Sequence, residues 1–270
     1  MSRLDDIVAR TRADLAQRFP HGLPAGVAPA QPVVRASFAD ALRARPDGRP
    51  RVIAELKKAS PSRGLIRADF RPAELAAALA DGGAAALSVL TDEPHFQGSP
   101  SYLREAAAAV GLPILRKDFV VHEVQLVEAV DWGASAVLLI AAALTPSEFR
   151  RLHRAARAMG LDVLSEVHDA AELETVLAAG AEIVGVNSRD LRTFVTDLDA
   201  ALGLLGRIPT GILRVAESGI RCGADLARLQ SAGADAFLIG EALMRAAHPG
   251  EALRALLDDA AAAGMGARRP

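Results

Sequence analysis

Five charged residues stand at, or one step beyond, the ends of short apolar runs: Glu55, Lys57, Lys117, Glu166 and Glu217. Alternation with period two puts Ile53, Glu55 and Lys57 on one face of the first run and Val52, Ala54 and Leu56 on the other. Opposite charges on the inner face of a packed structure cost free energy unless they are paired. One such residue would pass for a structural ion pair, but five that converge point to chemistry. Carboxylates and ammonium groups in one cup are what proton transfer needs, because each neighbour tunes the pKa of the next. Asn187 ends a further run and brings an amide to the same set.

A phosphate cradle is the second signal. Ser218-Gly219 follows the run that ends in Glu217, and Gly240-Glu241 follows Phe237-Leu238-Ile239. Glycine lets backbone N–H groups approach phosphate oxygens, and a short helix beginning at Glu241 would add its dipole. The loop Lys58-Ala59-Ser60-Pro61-Ser62-Arg63-Gly64 is polar and rich in hydroxyls, suited to substrate contacts and to movement as a lid. His95, His122 and His168 stand isolated, outside any H-x-x-x-H or H-E-x-x-H pattern, so no metal site is expected. The sequence has no G-x-S-x-G, which argues against a serine hydrolase.

These residues need a scaffold that brings strand ends together. A weak internal repeat supplies it. Gly83-Ala84, Gly133-Ala134, Gly180-Ala181 and Gly233-Ala234 each open an apolar run, with glycines about two βα units apart. Gly111-Leu112, Gly160-Leu161 and Gly211-Ile212 interleave with them. Glycine suits the left-handed residue that ends a helix just before a strand. With the run that starts at Arg51, the series predicts eight strands. Helices are expected at about 71–81, 99–109, 121–130, 146–158, 168–179, 197–206, 222–231 and 250–263. Eight βα units with right-handed crossovers close most simply into a (β/α)8 TIM barrel, a parallel α/β fold. An open doubly wound sheet is the alternative, but no G-x-G-x-x-G follows the first strand. In such a barrel the strands' C-terminal ends carry the site.

Residues 1–50 read as an N-terminal helical extension over the barrel mouth, and 51–270 as the barrel, together one structural domain. The extension has a helix up to Phe19, a Pro/Gly-rich loop at 20–36, and a capping box at Ser37–Asp40 that opens a short helix to about Arg45. The chain of 270 residues suits a single barrel. A net charge of −2 gives no reason to expect nucleic acid or an anionic membrane as partner, so an acidic substrate must be drawn by local positive groups. Cys222 is the one cysteine and reads as a small apolar filler at a helix start, which fits a reducing compartment. The first residues lack a signal-peptide core and no apolar run is long enough for a membrane span, so a cytoplasmic location is expected. The expected partner is a phosphorylated small molecule, and the chain is expected to be a monomer or at most a weak dimer.

Several motifs resemble those of indole-3-glycerol-phosphate synthases. Ile53-Ala54-Glu55-Leu56-Lys57-Lys58-Ala59-Ser60-Pro61-Ser62 is similar to that family's first-strand signature. Leu115–Phe119, Ser165-Glu166-Val167, Val186–Leu191, Val215–Ile220 and Phe237–Gly240 resemble its later signatures in order and spacing. The resemblance implies ring closure of 1-(2-carboxyphenylamino)-1-deoxyribulose 5-phosphate to indole-3-glycerol phosphate, carbon dioxide and water, in tryptophan biosynthesis, without a cofactor. It implies Lys117 as general acid, Glu166 as its carboxylate partner and general base, and Glu55 and Lys57 as assistants. Lys57 would meet the substrate carboxylate or act as a second acid. Asn187 and Glu217 would position the sugar hydroxyls. Ser218, Gly219, Gly240 and Glu241 would cradle the phosphate. Ser60, Pro61, Phe96, Phe119, Leu138, Ile140, Arg189 and Leu191 would bind the rest of the substrate. Glu241 stands where some members of that family place a serine, so it departs from their pattern.

Three rivals have their own signatures. A phosphosugar isomerase such as phosphoribosylanthranilate isomerase needs fewer charged groups than are present here. A Schiff-base aldolase would use Lys117 covalently. A silent barrel would bind a phosphate ligand without turnover.

Overall fold

The computed structural model describes residues 3–22, 24, 36–43, 49–189 and 197–266. Parallel strands β1 (Arg51–Leu56), β2 (Ala86–Leu90), β3 (Ile114–Lys117), β4 (Ala136–Ile140), β5 (Asp162–Val167), β6 (Ile183–Asn187), β7 (Leu213–Glu217) and β8 (Ala236–Ile239) close into a barrel in chain order. β8 pairs back onto β1, with Ala54 opposite Ile239. The barrel reading therefore holds against the open sheet.

The strands are buried on both faces, and their side chains divide cleanly between two packings. Ile53, Leu115, Leu138, Leu164, Ile183, Val215 and Leu238 fill the interior. Val52, Ala54, Leu56, Val89, Val137, Leu139, Val184 and Phe237 pack outward under the helices. This is the period-two division expected from the sequence, and it is why the strands read as continuous apolar runs. The covering helices are Pro72–Asp81, Pro100–Ala109, Glu123–Trp132, Pro146–Ala158, Ala170–Ala178, Leu198–Leu205, Gly223–Ser231 and Pro249–Gly266. They fall within about three residues of their predicted places.

Local chemistry sets these boundaries. Thr145 caps the helix Pro146–Ala158 in a reciprocal box with Glu148. Gly133 closes Glu123–Trp132 in the left-handed conformation, at φ 104°. Gly111 departs from the expected pattern: the helix before it closes on Val110 in extended conformation, and Gly111 is not left-handed. Cys222 also differs from expectation. It is at a helix start, but it is exposed and fills no core space.

The two helices of the N-terminal segment go to opposite ends of the barrel. α1 (Arg3–Arg18) buries Leu4, Ile7 and Leu15. It contacts the turn Ala141–Ala143 just past β4, and Arg12 donates to Glu148 at 2.9 Å, all beyond the strands' C-terminal ends. α2 (Phe38–Arg43) instead plugs the other end. The Ala39 N–H donates to Asp162 Oδ2 at 3.0 Å, and Arg51 Nε donates to the Ala41 carbonyl at 3.1 Å. Asp162 and Arg51 are the first residues of their strands, so α2 is not part of a cover for the mouth. Phe38 and Leu42 are apolar and fully buried among the inward-facing strand residues, which is the physical reason. Only half of the expected capping box forms at its start: Ser37 Oγ accepts from the Asp40 N–H, while the Asp40 carboxylate pairs with Arg43.

Candidate active site

A cavity of about 500 Å³ opens at the C-terminal ends of the strands. Inward-facing positions on six strands deliver its charged and polar floor: Glu55 from β1, Lys117 from β3, Glu166 from β5, Asn187 from β6, Glu217 from β7 and Gly240 just past β8. Lys57 lies one residue beyond β1. Every site residue named from the sequence lines this cavity except Leu191, which is outside the described residues.

Lys117 is at the centre. Its Nζ lies 3.3 Å from Glu166 Oε2 and 4.0 Å from Glu217 Oε2. Burial alone would lower its pKa, but Glu166, Glu217 and Glu55 surround it and hold it above its ordinary value. It is therefore an ammonium throughout the working pH range. Lys57 Nζ donates to Glu55 Oε1 at 2.5 Å, forming a second ion pair beside the first. Burial would raise the Glu55 carboxyl, but Lys57 and Lys117 outweigh it and keep it low.

Glu166 and Glu217 are pushed in opposite directions. Burial would raise both. Lys117, His168 and hydrogen bonds from Asn187 and Glu217 pull Glu166 below its ordinary value. The charge on Glu166 adds to burial at Glu217 and lifts it well above the carboxylate range. The two carboxyls are thus pushed apart, Glu166 toward the anion and Glu217 toward its protonated form. Two adjacent carboxyls with separated affinities give one base and one acid in the same cup.

The cavity has two further walls. Leu138, Ile140, Phe96 and Phe119 make an apolar one, with the two aromatic rings 6.3 Å apart. At the other end the chain turns sharply at Ser218 (φ 65°) and Gly219 (φ 75°). Ser188 pins that turn, since its Oγ lies 2.9 Å from the Glu217 carbonyl and 3.0 Å from that of Ser218. A hairpin, Ala59–Ser60 paired with Gly64–Leu65, forms the rim after β1. Ser60 Oγ is buried there without a hydrogen-bond partner among the described residues, as is Glu217 Oε1.

The side chain of Glu241 turns to guanidinium groups. It meets Arg245 at 3.0 Å, Arg63 at 3.2 Å and Arg189 at 3.7 Å. Burial would raise its carboxyl, but Arg245, Arg63 and Arg189 hold it down, so it is an anion. A carboxylate cannot itself ligate phosphate, so Glu241 can serve a cradle only through its backbone.

Sequence reasoning missed several contributors. His168 was set aside as isolated, yet its Nε2 lies 3.7 Å from Glu166 Oε1 and its Nδ1 lies 3.2 Å from Glu172 Oε2. Period two from Glu166 puts it on the same face, a signal that was legible. Arg63, Arg221 and Arg245 also line the cavity. They come from loops and a short helix, where no periodicity marks direction.

A closed parallel barrel that gathers buried lysines and glutamates at its strand ends, beside an apolar wall, is a (β/α)8-barrel enzyme built for acid–base catalysis. Residues 4–256 match the family model described as indole-3-glycerol phosphate synthase. The chain is 53% identical over 232 residues to an indole-3-glycerol phosphate synthase of Azoarcus sp., covering 85% of this chain and 88% of that one. It is 48% identical over 257 residues to one of Polaromonas sp., covering 94% and 97%. Among solved structures, a mutant tryptophan synthase alpha-subunit from Pyrococcus furiosus superposes with a TM-score of 0.60 at 16% identity, covering 78% of this chain and 99% of that chain, which is a likeness of fold. The chain belongs to the indole-3-glycerol phosphate synthase family.

Proposed function

We propose that the chain closes an indole ring, converting 1-(2-carboxyphenylamino)-1-deoxyribulose 5-phosphate to indole-3-glycerol phosphate with loss of carbon dioxide and water. This makes it a carboxy-lyase of tryptophan biosynthesis. One observation carries the reading beyond family membership: Lys117, held as an ammonium, stands 3.3 Å from the base Glu166 in a cavity with an apolar wall.

Ring closure needs a proton at the ketone oxygen when the aromatic carbon attacks it, and Lys117 supplies it. Dehydration then needs a base to take a proton and an acid for the leaving hydroxyl. Glu166 is the base. Lys57, oriented by Glu55, meets the substrate carboxylate or acts as the second acid. Asn187 and Glu217 position the sugar hydroxyls. Phe96, Phe119, Leu138, Ile140, Pro61 and, from its place in the sequence, Leu191 hold the anthranilate ring, while Ser60 and Arg189 supply polar contacts. An apolar surround favours loss of carbon dioxide, because a carboxylate is poorly solvated there. Ser218, Gly219, Gly240 and the backbone of Glu241 cradle the phosphate. The chemistry calls for no cofactor.

Residues 51–270 form the catalytic barrel, and 1–50 complete the same domain. We infer that the enzyme works in the cytoplasm as a monomer or at most a weak dimer. In support, no helix among the described residues is long and apolar enough to cross a membrane. Leu65 is the one exposed large hydrophobic side chain among them, too little for an apolar interface.

The test is direct. Supplied with the carboxyphenylamino-deoxyribulose phosphate, enzyme dialysed against a chelator should give indole fluorescence without added metal or nucleotide. Absence of turnover by folded protein, or turnover that depends on a nucleotide, would overturn the reading. Covalent trapping of Lys117 by borohydride would favour an aldolase instead.

A further inference from the structure

Glu241 puts a negative charge where the proposed reading places the substrate's phosphate. The carboxylate is not incidental to the surface. It is the first residue of the short helix after β8 and gathers guanidinium groups from three parts of the chain. Arg63 comes from the hairpin after β1, Arg189 from the end of β6, and Arg245 from the helix itself. All four side chains line the catalytic cavity, as do Ser218 and Gly219.

We propose that Glu241 is an exchangeable stand-in for the substrate phosphate: it holds Arg63 and Arg189 in the mouth of the cavity until a phosphate dianion takes them over. The inference rests on the proposed phosphate position.

Charge and exposure support the exchange. Among the described residues, one carboxylate is shared by three guanidinium groups, so none of the three has it to itself. A phosphate brings up to two negative charges and three oxygens, which match the fork of arginine better than a shared carboxylate does. Arg63 remains 57% exposed, so its pair with Glu241 is solvated and weak, and exchange costs little. Arg189 is more enclosed, at 21% exposed, but its closest approach to Glu241 is 3.7 Å, longer than a hydrogen bond.

Glu241 has somewhere to go. Arg245 is one helical turn along the same helix and bonds Glu241 at 3.0 Å as an i,i+4 pair. When phosphate repels the carboxylate, that local pair survives while Arg63 and Arg189 transfer. Arg63 belongs to the hairpin that also carries Ser60, so its transfer draws this rim toward the bound substrate. Glu241 therefore holds the arginines in position rather than serving as a ligand.

Glu241→Gln keeps the shape and removes the charge. Inorganic phosphate is the probe, measured by calorimetry and as a competitive inhibitor of indole formation, alongside KM and kcat for the substrate. The dissociation constant for phosphate and the substrate KM should both fall, by roughly three- to tenfold, the size expected when partly exposed competing ion pairs are removed. Binding of dimethyl phosphate, a monoanion, should improve by a smaller factor than phosphate binding, because one charge meets less repulsion from the carboxylate than two, and kcat should not rise. In an Arg63→Ala background the gain in phosphate affinity from Glu241→Gln should shrink. Unchanged or weaker phosphate binding in a folded Glu241→Gln variant would overturn the inference and leave the proposed activity standing. If phosphate neither binds nor inhibits the unmodified enzyme while the substrate still turns over, the cradle falls and this inference falls with it.

Discussion

Glu55 fills the space in front of Gly240. A Cβ built on residue 240 would stand 2.5 Å from Glu55 Oε1 and 3.0 Å from Glu55 Cβ. β1 and β8 are neighbours, with Ala54 opposite Ile239, so the two residues face each other across the seam that closes the barrel. A glycine read from the sequence as a phosphate contact thus has a second duty, which is clearance for a catalytic carboxylate. Gly185 does the same on β6, where a Cβ would collide with Glu217 Oε1. The barrel accommodates its inward carboxyls by omitting side chains next to them.

Gly240→Ala therefore tests positioning. The added methyl must displace the Glu55 carboxylate and break its 2.5 Å bond to Lys57. Displacements of about 1 Å in an active site can cost on the order of 100-fold in rate. We expect kcat to fall at least about tenfold, with the protein still folded by circular dichroism. A kcat near that of the unmodified enzyme would mean Glu55 has slack, or that its position does not matter.

Lys117→Ala should separate chemistry from binding. Removing a proton donor in the transition state costs roughly 100- to 10,000-fold. Lys117 contacts Glu166 and Glu217, and the proposed phosphate cradle lies in the loops after β7 and β8. Phosphate inhibition constants should stay within about twofold while kcat collapses. Turnover like that of the unmodified enzyme would remove Lys117 from its assigned role.

His168 links Glu166 to Glu172 and helps hold Glu166 below its ordinary pKa. His168→Gln removes the imidazole that helps lower the Glu166 pKa. The Glu166 pKa should then rise, and the base form should be lost at higher pH as the solution is acidified. The acid limb of the kcat/KM profile should move upward, and kcat should drop several-fold. A drop in kcat with the limb unmoved would make His168 a packing residue only.

Much of this architecture was legible from the residues. The inward set Glu55, Lys117, Glu166 and Glu217 followed from period two, because a strand allows only two directions for a side chain. The outer helices followed from glycine-marked spacing. What escaped lies where no period constrains direction. Arg63 reaches the cavity through a hairpin turn, and Arg245 through a short helix after β8. The course of α2 depends on Phe38 and Leu42 finding the open bottom of the barrel, a tertiary fact that helical spacing alone does not encode. The division of protons between Glu166 and Glu217 needed distances, since both residues have the same type and the same kind of strand-end position.

That division predicts how stability responds to pH. In the fold, Glu217 keeps its proton well above the usual carboxylate range, first because it is buried and then because Glu166 is charged beside it. The unfolded chain releases that proton near the ordinary value of 4.5. Above that value the folded state binds more protons than the unfolded one, so this contribution to stability declines as pH rises toward the folded pKa. Glu55 and Glu166 act oppositely, but their contribution is lost only as pH falls below the ordinary value, outside the same window. Glu217→Gln removes the titration and keeps a donor for Glu166. Its melting temperature should change less than that of the unmodified enzyme between about pH 5 and about pH 8, and should be higher at the upper end. For a chain of this size about 1 kcal/mol corresponds to roughly 2–4 °C, so calorimetry resolves the difference. Parallel melting curves across that range would mean that Glu217 is ionised in the fold, and Glu166 and Glu217 would then have no proton to divide.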